Sequence, residues 1–130
     1  MLEERFGPLR GRAWYLSEFV AGDDAGTLCG QNTLDQAGIE AAGLQVTGLL
    51  AQLAHSGISH GDMKATNFIL AEQGAVVIDL DAMQEHVVPS GFRRAHHRDL
   101  TRFMRNWETC PEIKAMFTEM MGKEKRVTDI

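Results

Sequence analysis

Apolar positions along this chain follow two different periods, and the switches between them mark out its elements. Ala13-Trp14-Tyr15-Leu16-Ser17-Glu18-Phe19-Val20 is dense in β-forming residues and stops at Ala21-Gly22-Asp23-Asp24, which predicts a strand and a tight connector. After a polar stretch holding Thr27, Gly30, Asn32 and Asp35, the period becomes helical. Ile39, Ala42, Val46, Leu49, Leu50, Leu53 and Ala54 recur at spacings of three and four, a buried stripe that Gly57 ends. Gly43 and Gly48 inside that segment weaken it by about 1 kcal/mol each relative to alanine. Ile58-Ser59-His60 then returns to an extended path. Asn67-Phe68-Ile69-Leu70, Glu72-Gln73-Gly74 and Ala75-Val76-Val77-Ile78-Asp79 predict a β-hairpin that turns at Gly74. A loop over 82–95 contains Pro89 and Gly91. Next comes a helix from about His97 to Trp107, with Leu100, Phe103, Met104 and Trp107 on one face. Pro111 opens a last helix carrying Ile113, Met116, Phe117 and Met120, and residues 123–130 are expected to fray. The fold class expected is α+β, mainly helical.

Composition narrows this picture. The chain has 130 residues, 44% of them apolar, which suits a single domain over 1–130 with a real core. No run of 18 apolar residues exists to span a bilayer, and Met1-Leu2-Glu3-Glu4-Arg5 lacks the basic start and apolar run of a secretory signal. Cys29 and Cys110 fit no C-x-x-C spacing and are expected to be two reduced, cytosolic thiols. The net charge of -5 is unevenly spread. Residues 1–90 carry 4 Lys/Arg against 12 Asp/Glu, a balance of -8, and residues 91–130 carry 9 against 6, a balance of +3. An acidic front suits magnesium chemistry, and a basic rear suits an anionic substrate or membrane surface; plain solvated helix faces would look the same. No dense basic run is interleaved with aromatics, so no nucleic acid is expected as a partner.

The chemistry concentrates in His60-Gly61-Asp62-Met63-Lys64-Ala65-Thr66-Asn67 and in the Asp79 that follows Val76-Val77-Ile78. Phosphoryl transfer from a nucleotide needs one carboxylate to orient the attacking hydroxyl. It also needs an amide oxygen and a second carboxylate to hold magnesium. These residues would sit at the two ends of a small rigid hairpin, where precise geometry is easiest to hold.

This string, with Ile78-Asp79-Leu80-Asp81, resembles the catalytic lobe of the protein-kinase-like superfamily and looks closest to bacterial lipopolysaccharide kinases, the Kdo/heptose kinase group. His97-Arg98-Asp99-Leu100-Thr101-Arg102-Phe103-Met104-Arg105-Asn106-Trp107 also looks like that group, so the resemblance runs from about residue 12 to residue 107. It implies a C-terminal kinase lobe with a hinge strand and a small catalytic hairpin, using ATP and Mg2+. Asp62 matches the catalytic aspartate, and Lys64 a loop lysine that steadies the transferring phosphate, unless it is merely a solvated surface lysine. Asn67 and Asp79 match the magnesium ligands. His60 matches the imidazole that packs beneath the metal-binding segment, and Asp99 the buried helix aspartate that ties down the catalytic loop. Glu18 and Val20 fall where hinge backbone groups meet adenine, and Asp24 where a side chain could reach the ribose. Asp81 would cap a turn or add a metal ligand. Arg93, Arg94, His96 and Arg98 could meet an anionic acceptor such as a phosphorylated sugar core, although a charged loop and helix start explain them too. Gly61 stands in place of the H-R-D arginine that pairs with a phosphorylated activation loop. That departure favours a glycolipid or small-molecule kinase over a protein kinase. The implied acceptor is the lipopolysaccharide core or another sugar, with the protein cytoplasmic or peripheral on the cytoplasmic face of the inner membrane.

The same resemblance also implies an N-terminal lobe with a glycine-rich loop, a strand lysine and a helix glutamate. Gly7-Pro8-Leu9-Arg10-Gly11-Arg12 is not such a loop, no lysine precedes Lys64, and residues 1–14 are expected to hold one strand at most. The expectation is a catalytic lobe with its N-lobe largely missing or supplied by a partner chain, weak or inactive by itself. Three readings stay open: a truncated kinase, an inactive remnant acting as a binding or regulatory module, and an unrelated helical interaction domain. The first exposes Trp14, Tyr15 and Phe19; the second covers them.

Overall fold

The computed structural model describes residues 2–6, 9–14, 18–30 and 34–128, with side chains over 18–30 and 34–125. Among the described residues the architecture is mixed α+β, with three long helices and three small antiparallel sheets. Strands β1 (Leu2–Phe6) and β2 (Leu9–Trp14) form a hairpin, with Leu2 opposite Trp14 and Phe6 opposite Leu9. This corrects the expectation of one strand at most before Trp14. It also shifts the strand expected over 13–20: β2 ends at Trp14, Tyr15–Ser17 lie outside the described residues, and Glu18–Val20 are irregular.

Strand β3 (Asp23–Asp24) leads into a 3-10 turn at Ala25–Leu28 whose buried Ala25 and Leu28 enter the core. Helix α1 (Gln36–His55) follows, capped by the Asp35 carboxylate, which accepts from the Gly38 N–H at 2.8 Å. Ala42, Val46 and Leu50 of the predicted stripe are buried and Ile39, Leu49 and Leu53 partly so, while Gly43 and Thr47 join the buried face outside that stripe. Gly43 has a packing reason that its low helix propensity hides. A Cβ there would stand 2.7 Å from Met116 Cε and 3.1 Å from Met120 Sδ, so the missing side chain lets α1 approach the last helix closely. Thr47 donates to the Gly43 carbonyl at 2.6 Å within α1 and reaches Met120 Sδ at 3.7 Å across the contact.

Strand β4 (Ile58–Ser59) pairs with β7 (Gln84–Glu85), and β5 (Phe68–Ala71) with β6 (Gly74–Val77) forms the expected hairpin, Ala71 facing Gly74 across its turn. β3 adds to the outer edge of β5, with Asp24 opposite Ile69. Helix α2 (Pro89–Arg105) begins eight residues before the expected start at His97. Pro89 occupies the first helical position, where a missing N–H costs nothing, so the residue that suggested a loop in fact starts the helix. Trp107 lies just past its end. Helix α3 (Pro111–Thr128) continues through the stretch expected to fray from Lys123, and Lys123 pairs with Glu119 one turn back at 2.7 Å.

The core is aromatic at its centre. Phe103 meets Phe68, Trp107 and Phe117 edge to face at 5.6, 5.6 and 5.0 Å, and Trp107 stacks on Phe117 at 5.0 Å. All four are fully buried, so the hairpin, α2 and α3 are fixed against one another directly beneath the loop at 60–67.

Cys29 and Cys110, expected as separate thiols, are instead a disulfide pair with Cα atoms 5.9 Å apart, within the normal range for a bridge. The bond links the 3-10 turn to the connection between α2 and α3. In oxidised form the chain is expected to resist denaturant by about 2–4 kcal/mol more than after reduction. Cys29→Ser should abolish that difference; identical midpoints for oxidised, reduced and substituted protein would contradict the pairing.

Candidate active site

The site begins with a backbone problem. Residues 60–67 must leave β4, turn, and deliver a carboxylate and an amide to the end of the hairpin. Asp99, on α2 and only 4% exposed, solves the first half. Its two carboxylate oxygens accept from the His60 N–H at 2.7 Å and the Gly61 N–H at 3.0 Å. Gly61 then turns with φ +87°, and a Cβ there would lie 2.7 Å from both the carbonyl oxygen and the Cβ of Ala82. Glycine is therefore required by sterics as well as by backbone conformation. The sequence reading saw only the loss of an arginine at this position.

The His60 side chain is fully buried and bridges loop to hairpin. Its Nδ1 accepts from the Asp62 N–H at 3.3 Å while Nε2 faces the Ile78 carbonyl at 3.0 Å. That pattern fits the neutral ring with its proton on Nε2, donating to Ile78. Asn67, also buried, donates from Nδ2 to the Asp62 carbonyl at 2.8 Å, and its own carbonyl accepts from the Ile78 N–H at 2.8 Å. Loop, hairpin and α2 are thus tied together by side-chain to main-chain bonds from Asp99, His60 and Asn67.

Asp62 retains 34% of its side-chain surface exposed. Its Oδ2 meets Lys64 Nζ at 2.7 Å, and its Oδ1 lies 3.9 Å from Arg102 Nε. Asp79 follows β6, next to Ile78, whose N–H donates to the Asn67 main-chain carbonyl at 2.8 Å, so Asp79 and Asn67 lie at the same end of the hairpin. Asp79 has φ +60°, the sole non-glycine with positive φ among the described residues. Such strain is typically kept where a side chain must be aimed. Its carboxylate and Asn67 Oδ1 have no partner among the described residues.

No group of three or more His, Cys, Asp or Glu among the described residues could hold a metal alone. Asn67 and Asp79 each carry side-chain oxygen atoms, the kind of hard donor that magnesium takes. Magnesium takes one or two protein groups and fills its shell with phosphate oxygens and water.

The structure brings His60, Asp62, Lys64, Asn67, Asp79 and Asp99 together. It does not bring Glu18 and Val20 into contact with them. Glu18 is exposed, Val20 is half-buried, and Phe19 between them is 88% exposed; Trp14 and Tyr15 side chains lie outside the described residues. Asp24 caps the 3-10 turn by accepting from Gly26 N–H at 2.8 Å, so its carboxylate is already used. Arg93 and Arg94 are exposed on the first turns of α2 and do not line the cleft beside Asp62. His96 is stacked on Phe92 at 5.2 Å, and burial lowers its pKa despite the opposing pull of Asp99, so it is a poor cation for an anion site.

That cleft, of about 610 Å³, is bounded by Gly61 and Asp62, by Ala82 and Gln84, and by α2. Its basic wall is Arg98, Arg102 and Arg105. The sequence reading noticed only the first of the three. The signal for the others was their i, i+4, i+7 spacing, which puts all three on one helical face.

The chain matches no curated protein sequence. Residues 12–122 match the model of the lipopolysaccharide kinase (Kdo/WaaP) family, a span that takes in the catalytic loop, the hairpin, Asp79 and all of α2. By that match over most of its length, the chain belongs to the lipopolysaccharide kinase (Kdo/WaaP) family.

Proposed function

We propose that this chain carries the phosphotransfer centre of an ATP-dependent kinase acting on a sugar hydroxyl of the lipopolysaccharide core. Family membership supports the coarse form of this reading, a lipopolysaccharide kinase-type phosphotransferase. The observation that carries the finer form is Asp62. It is a half-exposed carboxylate at the edge of a cleft, on a loop pinned by Asp99, His60 and Asn67.

In this reading the acceptor enters the cleft and its hydroxyl donates a hydrogen bond to Asp62. The carboxylate orients the oxygen towards the γ-phosphorus. As the new O–P bond forms and the bond to the β,γ-bridging oxygen breaks, Asp62 takes the hydroxyl proton and ADP leaves. Lys64, already at 2.7 Å from Asp62, can turn its ammonium to the phosphoryl oxygens. Asn67 and Asp79 would hold magnesium, which supplies charge neutralisation at the nucleotide phosphates. The helices and hairpin then correspond to the C-terminal lobe of a protein-kinase-like fold, with Glu18–Val20 at the hinge. Work on a lipid-linked core would put the protein at the cytoplasmic face of the inner membrane, held peripherally. Among the described residues no helix is long and apolar enough to cross a membrane.

A second reading, a kinase-like module that binds without turnover, is supported by the β1–β2 hairpin, whose strands carry no lysine for the nucleotide phosphates. Both readings share nucleotide binding through Asp79 and can be tested together. Calorimetric titration with Mg·ADP should detect binding to the 130-residue chain that weakens by at least about tenfold in Asp79→Ala, since a metal ligand is lost. Equal binding by both proteins, or none by either, would remove a nucleotide role for this chain.

A further inference from the structure

The basic wall of the cleft has more charge than the catalytic loop uses. Arg98, Arg102 and Arg105 lie on one face of α2 and line the cleft together with Asp62. Among the described residues, Arg98 and Arg105 have no ion-pair or hydrogen-bond partner. Arg102 has only the Asp62 carboxylate, at 3.9 Å, beyond hydrogen-bond reach. The two carboxylates that line the cleft are occupied elsewhere. Asp99 accepts from two backbone N–H groups, and Asp62 meets Lys64 at 2.7 Å. Three guanidinium groups therefore face open space with little to neutralise them. Guanidinium forks match the planar, two-oxygen edge of phosphates and carboxylates.

We propose that this wall is a specificity subsite for an anionic oxyacid group on the sugar acceptor. The group, a phosphate or a carboxylate, would be carried on the sugar that presents its hydroxyl to Asp62, or on its neighbour. Arg102 fixes that spacing, because it stands beside Asp62 and can hold the anion while Asp62 holds the hydroxyl. Arg98 and Arg105, one turn to either side, extend the contact along the helix. The subsite rests on the phosphotransfer reading of Asp62. It replaces Arg93 and Arg94, which do not line the cleft, as the acceptor contacts.

The test uses three simple sugars and the full chain, without magnesium: glucose 6-phosphate, glucuronate and glucose, each followed by calorimetry or ligand-observed NMR. Glucose 6-phosphate should bind at least about tenfold more tightly than glucose. Glucuronate that matches glucose 6-phosphate identifies a subsite for charge alone, and weaker glucuronate identifies one for phosphate. The double variant Arg98→Ala/Arg105→Ala, at two exposed positions, should lose at least about tenfold in glucose 6-phosphate affinity with an unchanged thermal melt. Arg93→Ala/Arg94→Ala should bind like the parent chain. The proposal is overturned if glucose binds as well as its phosphate, if the double variant binds normally, or if Arg93→Ala/Arg94→Ala loses binding instead. Failure of the phosphotransfer reading has a separate signature: arginine-dependent sugar-phosphate binding in a chain that does not bind Mg·ADP.

Discussion

Asp62→Asn is expected to slow acceptor-dependent ADP release by about 10²–10⁴-fold, the usual worth of a positioned general base. Mg·ADP affinity should stay within experimental error of the parent chain. The substitution is close to isosteric, and it keeps the two main-chain groups on which the loop depends. The Asp62 N–H still donates to His60, and its carbonyl still accepts from Asn67 Nδ2. What it removes is the acceptor for the hydroxyl proton and the ion pair to Lys64. That pair is partly exposed and contributes little to stability, so the melt should hardly move. An unchanged rate would mean that Asp62 is not the base. A parallel loss of nucleotide affinity would mean that it acts in binding instead.

Asp99→Ala should have the largest effect on stability, about 3–5 kcal/mol by urea denaturation. The aspartate is buried on α2 and holds two consecutive N–H groups of a loop from a different part of the chain. Truncation leaves the buried His60 N–H without a partner and releases the Gly61 turn, whose left-handed φ these bonds help to hold. Asp99→Asn tests the same point more gently. One amide face would present N–H to N–H, so a loss of well over half the alanine effect is expected. A cost below about 1 kcal/mol for both substitutions would show that the loop is held by other contacts. Because Asp99 acts through the loop, the surviving folded fraction should also lose turnover more than nucleotide affinity.

The regular elements were legible in the sequence where an apolar stripe and a glycine stop coincided, as in α1 with Gly57, or where alternation met a glycine turn, as in the β5–β6 hairpin. The start of α2 was not. Its first turns, with Ser90, Gly91, Arg93 and Arg94 exposed, offer only the half-buried Phe92 before Ala95, too little of a helical stripe to read. Pro89 and Gly91 then weigh towards a loop. The loop at 60–67 was readable because its candidate chemistry is contiguous within eight residues. The arginine wall of the cleft was not, because Arg102 and Arg105 gain meaning only once Asp99 docks α2 against that loop. The disulfide was hidden by a separation of 81 residues, which only the packed core closes. Gly61 was noticed for the side chain it lacks. Its real constraint is the Ala82 backbone, which sequence alone cannot place.

Metal and nucleotide are proposed to meet the protein at Asn67 and Asp79, beside Asp62. Substituting Mn2+ for magnesium and recording paramagnetic broadening of the backbone amides in the presence of ADP would locate the metal directly. The account predicts selective loss of signal around Asn67 and Asp79, extending to Asp62, that requires nucleotide and disappears in Asp79→Ala. Broadening spread over surface carboxylates such as Glu108, Glu112 and Glu119, with the catalytic loop spared, would contradict it.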